Sequence, residues 1–213
     1  MVLLTRFLDW TAIDLTFLLA TKNQDKCAEL QRLLAPLGIK VIAPMDLPFD
    51  LPDVEETGQT FAENARLKAA SGCAASRMPC IGDDSGLCVD ALNGAPGVCS
   101  ARFAGGHGDD NANIAKLLRM MEGIPEKDRT ARFVCSICCV FPRGKACATE
   151  GCCEGRIGFA PKGENGFGYD PVFIPYASPL KTMAELSDAQ KDTISHRQMA
   201  LKQFAALLMD IQS

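Results

Sequence analysis

The first apolar run bounded by polar residues is Thr16-Phe17-Leu18-Leu19-Ala20, and its length predicts a buried strand. A polar stretch follows, Thr21-Lys22-Asn23-Gln24-Asp25-Lys26. Apolar positions then recur at Leu30, Leu33, Leu34 and Leu37, a helical spacing that stops near Pro36 and Gly38. Lys40 to Ala43 reads as a second strand. Strand, polar turn, helix and strand in that order open an α/β unit. Residues 44–59 are rich in Pro, Asp and Glu and read as a loop. Thr60 with Glu63 three residues later makes a capping box, and the helix it starts runs to about Arg77, with Pro79 beyond it. Cys80-Ile81-Gly82 leads to Asp83-Asp84-Ser85-Gly86, which reads as a strand end passing into a turn. Residues 91–110, dense in glycine, read as a long loop, and Asn111 to Met121 as a helix. Ala131 to Phe141 and Cys147 to Ile157 are apolar runs joined by Pro-Arg-Gly, the pattern of a hairpin. Gly163 to Asp170 is a glycine-rich loop. From about Ser195 the positions Leu201, Phe204, Ala205, Leu208 and Ile211 trace an amphipathic helix. Neither a repeat nor a linker divides the chain. Residues 1–15 precede the first clear pattern and read as an N-terminal extension of unassigned role, and 16–213 as a single domain.

Composition narrows the function classes. Lys and Arg number 22 against 26 Asp and Glu, a net charge of −4, whereas a general nucleic-acid binder is basic. No apolar run approaches about 18 residues, so a membrane-spanning helix is not expected. Eleven cysteines are many for 213 residues. The N-terminal MVLLTRFLDW lacks a secretory pattern, because Arg6 and Asp9 interrupt its apolar stretch. We therefore expect a reducing cytoplasm and mostly buried free thiols. Cys135-x-x-Cys138 invites a zinc reading, but no second such pair stands at suitable spacing and the chain has only His107 and His196.

Four clusters carry candidate chemistry. Thr21 to Lys26 follows a buried strand and starts a helix, where free N–H groups and the dipole favour phosphate, although the Walker spacing is missing. The plain alternative is an Asn23 cap with surface lysines. Asp83-Asp84-Ser85-Gly86 places adjacent carboxylates at a strand end, a place for Mg²⁺ and phosphate, with Glu55-Glu56 as a second acidic source. Its plain alternative is a solvated Asx-turn. Gly163 to Pro171 sets Phe167 and Tyr169 among glycines, aromatic faces for a flat base, with Asp170 able to accept from ring N–H groups. Lys181 and Ser195-His196-Arg197 form the fourth. His and Arg at a helix start oppose its macrodipole, so an anionic or electron-rich ligand is expected to compensate them. His107 reads as an ordinary loop histidine.

Together these stretches resemble the inosine triphosphate pyrophosphatase family. The resemblance rests on T-x-N-x-x-K, E-E-T-G-x-T-F-x-E-N-A, D-D-S-G-L-x-V-D-A-L-x-G-A-P-G, G-x-G-Y-D-P and the terminal S-H-R, and covers about residues 16–210. It implies an elongated mixed α/β sheet with flanking helices and two lobes around a central cleft, and a homodimer. It implies Mg²⁺-dependent hydrolysis of ITP, dITP and XTP to the monophosphate and pyrophosphate, clearing deaminated purine nucleotides. Thr21, Lys22, Asn23, Gln24, Asp25 and Lys26 would then hold the triphosphate. Asp84 with Glu55 or Glu56 would bind Mg²⁺, and Asp84 would also accept the proton. Ser85 would contact substrate, Phe167, Gly168, Tyr169 and Asp170 would line the base pocket, and Lys181, His196 and Arg197 would complete recognition. Lys22 and Asp25 stand where the family often has glycine. The competing readings are a noncatalytic nucleotide sensor, a cysteine-based zinc module, and a phosphatase with Asp83 as nucleophile. The last needs its two aspartates separated by one residue, and here they are adjacent.

Overall fold

The computed structural model describes residues 16–106 and 108–212, the last four of these by backbone alone. The N-terminal extension and His107 lie outside the described residues. In chain order the elements are β1 (Thr16–Leu19), α1 (Gln24–Leu34), β2 (Lys40–Ile42), α2 (Phe61–Ser76), β3 (Cys80–Val89), α3 (Asp110–Met120), β4 (Thr130–Val140), β5 (Ala146–Ile157), β6 (Phe173–Pro175), α4 (Asp188–Ile194) and α5 (His196–Gln212). The strands form one mixed six-stranded sheet in the order β2-β1-β3-β4-β5-β6. β1 is parallel to β2 and β3, and the remaining pairs are antiparallel.

The capping chemistry sets the helix starts. The Asn23 side chain accepts the Lys26 N–H at 2.9 Å, and Thr60 and Glu63 cap α2 reciprocally. Helix α4, which the periodicity did not predict, begins at a third box, Ser187 with Gln190. The Ser195 hydroxyl then accepts the Gln198 N–H and starts α5.

Strands β3, β4 and β5 span two cores. One core gathers Phe17, Leu19, Leu30, Leu34, Ile81, Ile137, Cys139, Leu201 and Phe204 between the sheet and α1 and α5. The other gathers Leu87, Val89, Ile114, Leu117, Phe133, Cys153, Ile157 and Phe173 around α3. Between them the middle of β3 is polar, and there the cleft opens. This is the mixed sheet with flanking helices that was expected. The anticipated break near Asp83 does not occur: β3 continues because β4 pairs with it over the whole stretch from Cys80–Val140 to Val89–Ala131. It is β1 that stops, pairing β3 only at Cys80 and Ile81.

A candidate active-site cleft

A strand alternates its side chains, so adjacent aspartates in β3 face opposite sides of the sheet. Asp84 faces α2. Gly82 and Gly86, on the same face, let α2 come close: a Cβ at Gly82 would stand 2.1 Å from the Ala65 carbonyl oxygen. That approach brings Asn64 and Lys68, one turn apart on α2, onto Asp84. Asn64 Nδ2 donates to Oδ2 at 3.3 Å, and Lys68 Nζ lies 2.8 Å from Oδ1. The same ammonium lies 3.0 Å from Glu56 Oε1. Burial pushes the Asp84 carboxyl above its ordinary range despite the pull of Lys68. Burial alone would lower the Lys68 pKa, but Asp84 and Glu56 raise it on balance. Two carboxylates sharing one cation, in a wall open to solvent, form a donor set that fits Mg²⁺, which takes one or two carboxylates and completes its shell with phosphate and water.

Asp83 faces α1 and α5 and is buried. Lys26 Nζ is 2.7 Å from Oδ2, while Arg197 Nε (3.2 Å) and the Cys135 thiol (3.0 Å) donate to Oδ1. Burial alone would raise this carboxyl; Arg197 and then Lys26 overrule it and hold it well below the carboxylate range. The network continues inward. Arg197 Nη1 donates to Glu29 at 2.7 Å, Nη2 to the Ser85 hydroxyl at 2.9 Å, and Lys191 Nζ lies 3.9 Å from Glu29 and 2.6 Å from Asp170. Lys26, Arg197 and Lys191 thus alternate with Asp83, Glu29 and Asp170, and the formal charges cancel.

Of these groups, Lys26, Glu56, Lys68, Asp84, Ser85, Asp170, Lys191 and Arg197 border one cavity of about 410 Å³. Its lining takes Thr21, Lys22, Asn23 and Lys26 from the start of α1 and the turn before it, Asp84, Ser85, Glu56 and Lys68 from β3, α2 and the loop before α2, and Phe167, Gly168, Tyr169, Asp170, Lys191, His196 and Arg197 from the C-terminal part of the chain. Phe167 is flanked by cations, with Lys191 Nζ 4.8 Å and Arg197 Cζ 5.8 Å from its ring centroid. His196 stacks on Phe133 at 4.9 Å. Burial first, then the charges of Arg197 and Lys191, hold its pKa well below the usual imidazole value, so the ring is neutral. Lys22 pairs with Asp53 across the mouth, both exposed.

Several expected site residues do not join this cavity. Gln24 and Asp25 project from the outer side of α1, Glu55 is exposed while Glu56 turns inward, and Lys181 sits on an exposed turn. Lys191 occupies the place expected of Lys181. Asp170 is not a free acceptor either: it takes the Phe167 N–H at 3.1 Å and Lys191, and fills the space a Cβ at Gly166 would need. Nor does Arg197 await an anion, because Asp83 and Glu29 already balance its charge; burial would lower its pKa, and the two carboxylates raise it. The Cys135-x-x-Cys138 zinc reading fails on strand geometry. The two thiols lie on opposite faces of β4, Cys135 toward Asp83 and Cys138 toward α2, and among the described residues no group of three or more His, Cys, Asp or Glu could hold a metal.

Sequence reasoning missed Lys68, Lys191 and Glu29. Lys68 had a signal in its i, i+4 spacing from Asn64 behind the capping box. Lys191 had one in Ser187-x-x-Gln190, a helix start. Glu29 interrupts the inward apolar stripe of α1 beside Leu30 and Leu33, which marks a buried, paired charge.

Comparison with known proteins is consistent along nearly the whole chain. The Ham1 family matches residues 17–207. A dITP/XTP pyrophosphatase of Geobacillus kaustophilus is 52% identical over 184 residues, 86% of this chain and 89% of that protein. One from an Exiguobacterium species is 50% identical over 189 residues, 89% of this chain and 94% of that protein. Among solved structures, the Ham1 protein of Staphylococcus aureus superposes with a TM-score of 0.77 at 42% identity, over 92% of this chain and 98% of that one. The HAM1 protein of Coxiella burnetii gives 0.80 at 42%, over 92% and 99%.

Proposed function

The chain belongs to the Ham1 family, and on that premise we propose that it is a Mg²⁺-dependent nucleoside triphosphate pyrophosphatase acting on dITP, XTP and ITP. The observation that carries this reading is the set of groups that line one cavity: cations at a helix N-terminus, a carboxylate pair on a shared cation, and an aromatic ring flanked by cations. Those three kinds of group suit a triphosphate, a scissile bond and a base. Thr21, Asn23 and Lys26 receive the distal phosphates, where the α1 dipole and ammonium oppose their charge. Lys22 reaches the same phosphates by releasing Asp53.

Asp84 and Glu56 would hold Mg²⁺, which when bound neutralises charge on the phosphate oxygens. Asp84 orients a water and takes its proton as the α–β anhydride bond breaks. Lys68 keeps the carboxylates in place and stabilises the developing negative charge. Products are the nucleoside monophosphate and pyrophosphate.

At the base end Lys191 offers donors to a 6-oxo group, and the neutral imidazole of His196 has a nitrogen to accept from a ring N1–H. Adenine reverses both polarities, leaving buried groups unpaired, a mismatch that rejects substrates by large factors. The free thiol state of all eleven cysteines supports a reducing cytoplasmic setting. Residues 16–213 act as one catalytic domain, and a homodimer is the assembly we propose. Steady-state pyrophosphate release from ITP, dITP, XTP, GTP and ATP, with and without Mg²⁺, tests the reading. We expect kcat/KM at least about a hundredfold higher for the three deaminated substrates than for ATP, and none without metal. Binding without release would make the protein a sensor, and equal rates on ATP would remove the base assignment.

A further inference from the structure

The cysteine enrichment has no part in the cleft chemistry apart from Cys135. We propose that Cys139 and Cys147 form a peroxide-responsive dithiol, a modification site at which a hydroperoxide closes a reversible disulfide across β4 and β5. Three observations place it there. First, Cys139 and Cys147 are directly opposed in the antiparallel register, so their side chains share one face of the sheet. Opposed antiparallel residues have Cα atoms about 4.5–5.5 Å apart, inside the roughly 4.4–6.8 Å span of natural disulfides. Second, no other cysteine among the described strands has a cysteine opposite it: Cys135 faces Gly151, Cys138 faces Ala148, Cys152 faces Val134 and Cys153 faces Phe133. Cys80 is only diagonal to Cys138, because Gly82 is Cys138's direct partner, and diagonal neighbours stand about 7–8 Å apart. Third, access is asymmetric. Cys139 is buried against Phe17, Leu19 and Phe204, whereas Cys147 is half-exposed at the start of β5, close to the hairpin turn.

Asymmetry of this kind assigns the two roles. Cys147 is the attacking sulfur, because it is the half-exposed one that a hydroperoxide reaches. Cys139 is the resolving sulfur, held in the core directly opposite Cys147. The Cys147 thiolate attacks one peroxide oxygen, the O–O bond breaks, and the other oxygen leaves as water after taking a proton, giving a sulfenic acid. The Cys139 sulfur then attacks the Cys147 sulfur, the S–O bond breaks, and the hydroxyl leaves as water with the Cys139 proton. The two thiols lose two electrons and the peroxide gains them. The crosslink joins neighbouring strands that are already paired and lies outside the residues that line the cleft, so the oxidised enzyme keeps its activity.

The test uses the full, reduced chain with hydrogen peroxide, followed by alkylation of remaining thiols and peptide mapping. Trypsin cuts after Arg143 and Lys145, so the two cysteines fall on separate peptides. We expect the first crosslink to join Cys139 to Cys147, to reverse with dithiothreitol, and to leave pyrophosphate release within about twofold. In Cys139→Ala, sulfenic acid should persist on Cys147 and be trapped by a 1,3-dione; in Cys147→Ser, Cys139 should stay unmodified. Another dominant crosslink, a crosslink that dithiothreitol leaves intact, or no trapped sulfenic acid in Cys139→Ala would each overturn the proposal.

Discussion

Replacing Arg197 by alanine tests whether the buried charge network organises the cleft. The guanidinium is about 1% exposed and donates to Asp83, Glu29 and Ser85. Its removal leaves two carboxylates in a low-dielectric interior, with Lys26 the remaining close cation for Asp83 and Lys191, at 3.9 Å, for Glu29. Breaking a buried pair by deleting one partner costs about 3–5 kcal/mol. At roughly 2–4 °C per kcal/mol for a chain of this size, the melting temperature should fall by about 6–20 °C. Arg197→Lys keeps the charge but loses the fork and should recover about half of that. Pairing Arg197→Met with Glu29→Gln removes a buried anion's charge together with the cation that balances it and should cost less than the sum of the single changes. Circular dichroism melts measure all three. If the network positions the cleft, kcat/KM for ITP and ATP should also fall together well below the transition. A melting temperature within about 2 °C of the parent, with a selective loss of ITP turnover, would refute the network and return Arg197 to direct base reading.

Three further outcomes follow from the geometry. His196 has a depressed pKa in the folded state, so below about pH 6.5 the unfolded chain binds the extra proton and stability falls with pH, by up to about 1.4 kcal/mol per unit. His196→Asn should flatten that slope in melts between pH 7 and 5, and an unchanged slope would count against the burial argument. Gly82→Ala should lower the melting temperature and turnover together, because a Cβ there meets the Ala65 carbonyl of α2 and displaces Lys68 from Asp84; an unperturbed melt would show that α2 can shift freely. Asp110 accepts the Gly168 N–H at 2.7 Å, so Asp110→Ala should loosen the aromatic loop and raise KM by about 10- to 150-fold, the effect of a charge-assisted hydrogen bond of 1.5–3 kcal/mol, with kcat nearly kept; a fall in kcat alone would place Asp110 elsewhere in the cycle.

The pattern along the chain disclosed the elements whose signals are local. Caps at Asn23 and Thr60, the hairpin and the final amphipathic helix all stand where side-chain spacing put them, within a residue or two. The run through Asp83 and Asp84 did not read as strand interior, because two buried carboxylates are costly in isolation. Their partners Lys26, Arg197 and Lys68 come from distant segments that no local rule can foresee. Exchanging Lys181 for Lys191 had the same root: the short helix α4 carries no apolar stripe, only its capping box. Which of Glu55 and Glu56 turns inward is decided by Lys68 and Arg102, 3.0 and 3.7 Å from Glu56, and not by the dipeptide itself.

The central claim is that this cleft breaks the α–β anhydride bond with Asp84 as the proton acceptor. Product analysis with XTP and Mg²⁺, on the parent and on Asp84→Asn in parallel, addresses it most directly. The parent should yield xanthosine monophosphate and pyrophosphate in equal amounts with no orthophosphate. Asp84→Asn should be slower by about a thousandfold, within the range that a lost general base costs, while still binding XTP and melting as a folded protein. Orthophosphate as the first product, or turnover by Asp84→Asn close to that of the parent, would contradict the account.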